Sequence, residues 1–230
     1  MKTVGIIGGM GPFATLDFFR KVLELSHVEA DQEHLHIIID NYSQIPDRTA
    51  YIMGTGIDPY PFILASAKKL IMCGSSVLCM PCNTAHFWVD MLKSDIKDKA
   101  IFIDMIETVK GYILQHYGSN TKALIMGTNG LVISKLYNRY FDNTMLIYPG
   151  NSLQDEIMGI IVQIKAGKLT ELTEIFKKLI YKLKKYNPDV IIAACTEIPL
   201  VLPYINTDIE ILDPNLLLAK KVVDLAYERI

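Results

Sequence analysis

The chain lacks a strong charge of either sign. Its 230 residues carry 23 Lys and Arg against 25 Asp and Glu, a formal net charge of −2. That balance provides no electrostatic footprint for nucleic acid or an anionic membrane surface. The densest basic run, Lys177, Lys178, Lys182, Lys184 and Lys185 ahead of Pro188, reads as the solvated face of a helix with cations at its C-terminal end. No apolar run approaches the roughly eighteen residues of a membrane span. The stretch Val4–Ile7 is short, broken by Gly8 and Gly9, and soon followed by Asp17 and Arg20. It fits a buried strand and turn better than a secretory signal, so a soluble, cytoplasmic protein is expected. Cysteine is scarce: Cys73, Cys79, Cys82 and Cys195 do not make the framework of a small secreted domain and are expected to be thiols. No second C-x-x-C or His pair stands at ligand spacing, which argues against a zinc site. Low-complexity segments and long linkers are also missing.

What is present is a folding composition, 50% hydrophobic and 21% charged, long for one compact domain and comfortable for two small ones. β-Branched runs at Val4–Ile7, Leu35–Ile39, Ser76–Met80, Ile101–Ile103, Lys122–Met126, Met145–Ile147, Val190–Ala193 and Ile209–Leu212 are expected to be strands. Helical patterns separate them. In the first, Phe13, Leu16, Phe19 and Leu23 form an apolar stripe opposite Asp17, Arg20, Lys21 and Glu24. Pro12, Pro61 and Pro214 stand where helices should begin, and Gly167 where one should end. Strand–helix alternation of this kind implies α/β architecture with parallel sheets and helices on both faces.

Three segments recur in order: Gly5-Ile-Ile-Gly-Gly as Leu124-Ile-Met-Gly-Thr, Val77–Thr84 as Ile191–Thr196, and Ile101-Phe-Ile-Asp as Glu210-Ile-Leu-Asp. The offsets are 119 (Gly5 to Leu124), 113 (Cys82 to Cys195) and 109 (Ile101 to Glu210). Together they imply two similar α/β halves, with the final helix, Pro214–Arg229, packing back on the first. The expected division is 1–113 plus 214–230, carrying Cys82, and 114–213, carrying Cys195.

Ligands of open α/β sheets bind beyond the carboxyl ends of the strands, and four places there carry chemistry. Gly8-Gly-Met-Gly-Pro permits a tight turn, and the helix after it offers free N–H groups to an anion. Gly9-Met-Gly11-Pro-Phe-Ala14, with Asp40 ending the second strand, also fits a dinucleotide fingerprint. Cys82-Asn-Thr and Cys195-Thr-Glu occupy matching strand ends, each before an expected helix whose N-terminus would lower the thiol's pKa. Two core cysteines are the plainer reading, but they leave the matched positions and polar neighbours unexplained. Cys79, three residues before Cys82, falls inside an apolar strand and is expected to point into the fold, which argues against a redox C-x-x-C pair. Cys73 has no comparable setting. In the loop Asn41–Thr49, an Ile-Pro-Asp turn would hold Arg48, a residue suited to bidentate carboxylate binding.

Gly8-Gly-Met-Gly-Pro, Gln44-Ile-Pro-Asp-Arg48-Thr, Pro81-Cys82-Asn-Thr-Ala-His and Cys195-Thr-Glu, in that order, resemble the aspartate/glutamate racemase family, closest to its aspartate racemases. The resemblance implies two pseudo-symmetric domains, an active site in the cleft between them, a homodimer, a small acidic amino acid as substrate, and no pyridoxal phosphate or metal. It implies Cys82 and Cys195 as the catalytic pair, with Cys195 facing the L-enantiomer and Cys82 the D-enantiomer. Arg48 and Lys165 would hold the substrate's side-chain carboxylate, while Met10, Gly11, Asn83, Thr84, Thr128 and Thr196 would line the pocket. Glu197 stands where glutamate racemases often carry His, which favours the aspartate-type branch and puts Glu197 among the binding residues. Ala194, where the family more often has glycine, would narrow the pocket by a methyl group. Within the resemblance, interconversion of L- and D-aspartate is expected, with a glutamate or broad-specificity acidic amino-acid racemase as the alternative. Two readings of another class stay open from the residues themselves: a nicotinamide-dependent oxidoreductase using the Gly9-Met-Gly11 turn, and a binding protein with a cleft but no chemistry.

Overall fold

The computed structural model describes residues 1–141 and 145–229. The first half runs β1 (Val4–Gly8), α1 (Pro12–Ser26), β2 (Ile37–Asn41), α2 (Arg48–Ile52), α3 (Tyr60–Met72), β3 (Val77–Cys79), α4 (Val89–Ile96) and β4 (Ile101–Ile103). After α5 (Met105–His116), the second half runs β5 (Lys122–Gly127), α6 (Asn129–Ile133), β6 (Met145–Ile147), α7 (Asn151–Lys165), α8 (Thr173–Leu183), β7 (Val190–Ala194) and β8 (Ile211–Leu212). Then α9 (Pro214–Ala226) closes the chain. Every strand expected from the sequence is present, and the sheets are ordered β2-β1-β3-β4 and β6-β5-β7-β8. All strand pairings among the described residues are parallel. The internal repeat therefore reflects one topology used twice: β1 matches β5, β3 matches β7, and β4 matches β8. Among the described residues no helix is long and apolar enough to cross a membrane.

Helices cover both faces of each sheet, as apolar strands demand. In the first half, Val4, Ile6 and Cys79 face Phe18 and Val22 of α1 and Leu218, Val222 and Ala226 of α9. On the other face, Ile7, Leu78 and Met80 meet Ile63 and Leu70 of α3 and Leu92 of α4. In the second half, Leu124 and Ile191 pack under α7 and α8, and Ile125 and Ile192 meet Ile106, Val109 and Ile113 of α5. Helix α9 thus returns from the last strand of the second half to the first, as the sequence implied. The proline and glycine punctuation also holds: Pro12 and Pro214 open α1 and α9, Pro61 lies in the first turn of α3, and Gly167, at φ +81°, follows α7.

The stripe expected on α1 is displaced. Phe13 and Leu16 are 51% and 64% exposed, and the buried face instead carries Ala14, Thr15, Phe18 and Val22 together with Asp17 and Lys21. The reason is α9, which covers the side that polar residues alone would mark as solvent. The buried charges satisfy one another: Lys21 bonds Asp17 and, at 2.5 Å, Asp213, the N-cap of α9. Buried charge is tolerated when so paired, and here the pairing ties α1 to the returning helix.

Candidate active site

The carboxyl ends of both sheets meet at one small, closed cavity. The first half contributes Met10 from the β1–α1 turn, Asp47, Arg48 and Thr49 from the start of α2, and Cys82, Asn83 and Thr84 from the end of β3. The second half contributes Thr128 after β5, Lys165 at the end of α7, and Cys195, Thr196 and Glu197 after β7. Every expected site residue except Gly11 borders this space. Gly11 lines the adjoining groove of about 300 Å³, whose walls share Asp47, Arg48, Lys165 and Glu197 with the cavity. The cavity itself has a volume of about 10 Å³, room for about one water molecule. An amino acid enters only if the walls part.

The Ile45-Pro46-Asp47 turn positions Arg48 as its sequence suggested. Asp47 caps α2 by accepting the Ala50 N–H at 2.7 Å, which places Arg48 at the first helical position. Arg48 is 8% exposed. Its Nη1 donates to the carbonyls of Ile45 (3.1 Å) and Pro46 (2.9 Å), and Nη2 to that of Met10 (3.4 Å). Its Nε is buried without a hydrogen-bond partner. Two other buried polar atoms at the cavity share that condition, Asn83 Nδ2 and Glu197 Oε1. Unpaired buried donors and acceptors are costly, and three around one cavity mark where a polar ligand would complete the bonding.

The two cysteines have different surroundings. Cys195 Sγ donates to Glu197 Oε2 at 3.1 Å. Burial, then the Glu197 charge, pushes this thiol's pKa well up, against a smaller opposite pull from Lys165. A thiol made acidic by a helix N-terminus is therefore not found at Cys195. The segment after it is a short 3₁₀ turn, Ile198–Leu200, too short to supply a strong dipole, and the nearest charge is an anion. Cys82 is likewise followed by a 3₁₀ turn, Thr84–Trp88. Its carbonyl oxygen lies 2.9 Å from His86 Nδ1, and the Met105 N–H donates to His86 Nε2 at 3.1 Å. An Nε2 that accepts requires a neutral ring with its proton on Nδ1, donated to Cys82. Burial, opposed by Asp104 nearby, draws the His86 pKa below its ordinary value.

Lys165 is an exposed residue overall, yet it borders the cavity. Burial works against its charge, but Cys195, Glu197 and Cys82 outweigh it and raise its pKa. All four cysteines are free. Cys79 is buried in the core beneath α1 and α9, and its Sγ lies 3.7 Å from the Gly5 carbonyl. Cys82 belongs to the core on the opposite sheet face, so the C-x-x-C is two separate environments. Cys73 is exposed at the end of α3 rather than part of the core. Among the described residues no group of three or more His, Cys, Asp or Glu could hold a metal ion.

One expectation fails on packing. Ala194 does not narrow the cavity, because its Cβ lies on the Gly127 side within the α5-facing core. The glycine turn is packed closely against its own protein. At Gly9, φ +87°, an added Cβ would sit 2.3 Å from Tyr42 C, and at Gly11 it would sit 2.7 Å from Glu197 Oε1. The second strand's Asp40, the expected ribose partner, bonds Lys69 at 3.0 Å. Asp47 and Thr49 border the cavity beside Arg48, although neither residue type at its position signals binding in the sequence. Tyr137, whose hydroxyl donates to Asn83 Oδ1 at 2.7 Å, is a further residue that the sequence does not mark. An aromatic residue 54 positions from its partner, inside a segment without a motif, gives no signal in a single sequence.

The family described as Asp/Glu/Hydantoin racemase matches residues 7–222. A broad specificity amino-acid racemase of Bacillus subtilis (strain 168), RacX, is 28% identical over 235 residues, spanning 98% of this chain and 99% of the relative. Picrophilus torridus aspartate racemase superposes with a TM-score of 0.84 at 29% identity, covering 99% of this chain and 95% of that one. Glutamate racemase from Francisella tularensis subsp. tularensis SCHU S4, in complex with D-glutamate, has a TM-score of 0.67 at 19% identity over 99% of this chain and 82% of that one. The last likeness bears on the fold alone.

Proposed function

The chain belongs to the Asp/Glu/hydantoin racemase family, and from that premise we propose that it interconverts L- and D-aspartate by proton transfer between two cysteines, without pyridoxal phosphate or a metal. The observation that carries this reading is the convergence of Cys82 and Cys195, from matching strand ends of the two halves, on one cavity. Racemisation needs a base on one face of the α-carbon and an acid on the other. A thiolate and a thiol supply both, and two adjacent thiolates would repel, so the pair titrates as a unit. The bond from Cys195 to Glu197 and the raised Cys195 pKa favour Cys195 as the resting acid and Cys82 as the base. The Cys82 thiolate takes the α-proton of the D-enantiomer, and Cys195 returns a proton on the opposite face. The roles exchange for L-aspartate.

The remaining groups divide by charge. Arg48 and Lys165 hold the side-chain carboxylate. Glu197 Oε1, without a partner beside Gly11, suits the substrate ammonium. Asn83, with its Nδ2 unpartnered, and the one of Thr84 and Thr128 that accepts in their mutual bond suit the α-carboxylate, where charge builds as the proton leaves and donors stabilise the transition state. Thr196, its hydroxyl given to the Pro81 carbonyl, lines the pocket. Closing of the halves over a bound substrate would exclude solvent and strengthen each of these contacts. Family resemblance further supports a cytoplasmic homodimer, which sedimentation equilibrium tests.

A second reading within the family is a wider range of acidic or other amino acids, favoured by the similarity to the broad specificity racemase of Bacillus subtilis. One experiment separates the two. Purified enzyme treated with a chelator and no added cofactor is incubated with single L-amino acids in D2O, and loss of the α-proton signal is followed by NMR. Aspartate alone losing its signal supports the first reading, and several amino acids losing it support the second. Activity only after adding pyridoxal phosphate or a metal contradicts the two-thiol mechanism.

A further inference from the structure

We propose that Tyr137 is a positioning residue that fixes the Asn83 amide with its NH2 group toward the substrate, and does so only when the two halves close. The inference rests on the racemase reading above and assigns a role to a residue outside the cavity lining. Asn83 stands at the end of β3 in the first half and is 1% exposed. Tyr137 lies in the 3₁₀ turn Leu136–Arg139 of the second half and is wholly buried, its ring stacked on Phe141 at 5.9 Å within the core that covers β5 and β7.

A primary amide can turn over, exchanging its oxygen and nitrogen at little steric cost, and its neighbours decide which way it points. The Tyr137 hydroxyl donates to Asn83 Oδ1 at 2.7 Å, and Asn83 Nδ2 is the buried atom left without a partner. Turned the other way, the amide NH2 would point at the phenol oxygen, and the buried hydroxyl hydrogen would lose the acceptor it now has. The outward atom would then be a carbonyl oxygen, facing an anionic substrate with a lone pair. Burial pushes the Tyr137 pKa well above its ordinary value, which keeps the hydroxyl a donor. Tyr137 therefore selects the one amide orientation that offers a proton to a carboxylate.

The bond crosses between the halves, and so do its neighbours. Thr84 Oγ1 meets Thr128 Oγ1 at 2.9 Å, Thr196 Oγ1 donates to the Pro81 carbonyl at 3.2 Å, and Arg139 Nη1 donates to the Phe87 carbonyl at 3.3 Å. The segment bearing Cys82 and Asn83 is gripped from the other half at four points. Opening wide enough to admit an amino acid separates Tyr137 from Asn83 and frees the amide, and closing restores its orientation. Substrate capture and the readiness of the α-carboxylate donor become one event.

A double-mutant cycle on the whole enzyme tests this. Tyr137→Phe keeps the ring and removes one hydrogen-bond donor, so kcat should fall about tenfold with a smaller change in KM. Asn83→Ala should cost more. Tyr137→Phe added to Asn83→Ala should then cost nothing further, because its effect runs through the amide. Losses that multiply, or a Tyr137→Phe enzyme with wild-type kcat, overturn the proposal. Asn83→Asp keeps an acceptor for Tyr137 and nearly the same shape, removes the outward NH2, and is informative even if Tyr137→Phe does not fold. It should be folded by circular dichroism and as impaired as Asn83→Ala, and full activity in it overturns the proposal. A wild-type enzyme that exchanges no amino-acid α-proton overturns the function and this inference together. Wild-type exchange with multiplying losses overturns this inference alone.

Discussion

The two half-sites share a backbone plan and differ in how each holds its cysteine. Both cysteines follow a strand that pairs with the first strand of its half, β3 with β1 and β7 with β5. In the first half the anchoring is through the main chain, where His86 grips the Cys82 carbonyl and leaves the sulfur without a neighbouring carboxylate on its own segment. In the second half the anchoring is on the sulfur itself, through Glu197 Oε2. Duplicated topology thus delivers two sulfurs to one cavity, and at Cys195 burial and the Glu197 charge strengthen the hold on the proton. A two-base racemase needs one thiol and one thiolate, because two thiols lack a base and two thiolates repel.

The largest expected effect comes from removing either sulfur. Cys82→Ala and Cys195→Ala should each abolish net racemisation, read by circular dichroism of the substrate. Cys79→Ala, which changes only the core under α1 and α9, should keep near-normal turnover. If Cys79→Ala alone were inactive, the comparison of half-sites would be the wrong frame.

Next in size is the carboxylate contact proposed for Arg48 in the first half. Arg48 is already held by three carbonyl oxygens with Nε free. A charge-assisted contact of about 1.5–3 kcal/mol converts to roughly 10- to 100-fold in kcat/KM for Arg48→Ala. An unchanged kcat/KM for aspartate removes Arg48 from the site.

A smaller effect should separate the two sulfurs by pH. The Glu197 charge helps raise the Cys195 pKa, so Glu197→Gln lowers it. The alkaline fall in rate, where the thiol acid loses its proton, should move to lower pH in the variant. A pH profile that does not move, or moves upward, denies Glu197 its hold on the Cys195 proton.

The smallest expected effect concerns the anchor of the first half and is on stability. The native His86 pKa lies below the unfolded value, so its neutral form is favoured by folding. This contribution is complete above the unfolded pKa and is lost as pH falls through the folded one. Between pH 7 and 5 the unfolded chain binds more protons there. Stability should decline with a slope approaching about 1.4 kcal/mol per pH unit from this residue. Urea midpoints at the two pH values should show a flatter slope in His86→Gln, and an equal slope in both proteins assigns the acid sensitivity elsewhere.

Much of this frame was legible before any coordinates. Apolar runs located all the strands because central parallel strands are buried on both faces and carry no competing polar pattern. The repeat located matched strand ends, and with them both cysteines. The polar interior was less legible. Asp17 and Lys21 look like solvent-facing charges until α9, two hundred residues on, supplies Asp213 and covers them. The Cys195 pKa is raised where strand-end position alone suggests a lowered one, because Glu197, two residues away, bonds the sulfur, and sequence spacing does not say where a side chain turns. Tyr137 and Asn83 come from different halves and lie 54 positions apart, so their contact leaves no local trace.

The most direct measurement follows α-deuterium uptake from D2O separately for L- and D-aspartate, with Cys82→Ala and Cys195→Ala. Each variant keeps one sulfur and one face of the α-carbon. Cys82→Ala should exchange the L-enantiomer without inverting it, and Cys195→Ala the D-enantiomer, so the two should show opposite preference. Equal exchange of both enantiomers by either variant, or full racemisation by either, would contradict the two-sulfur site.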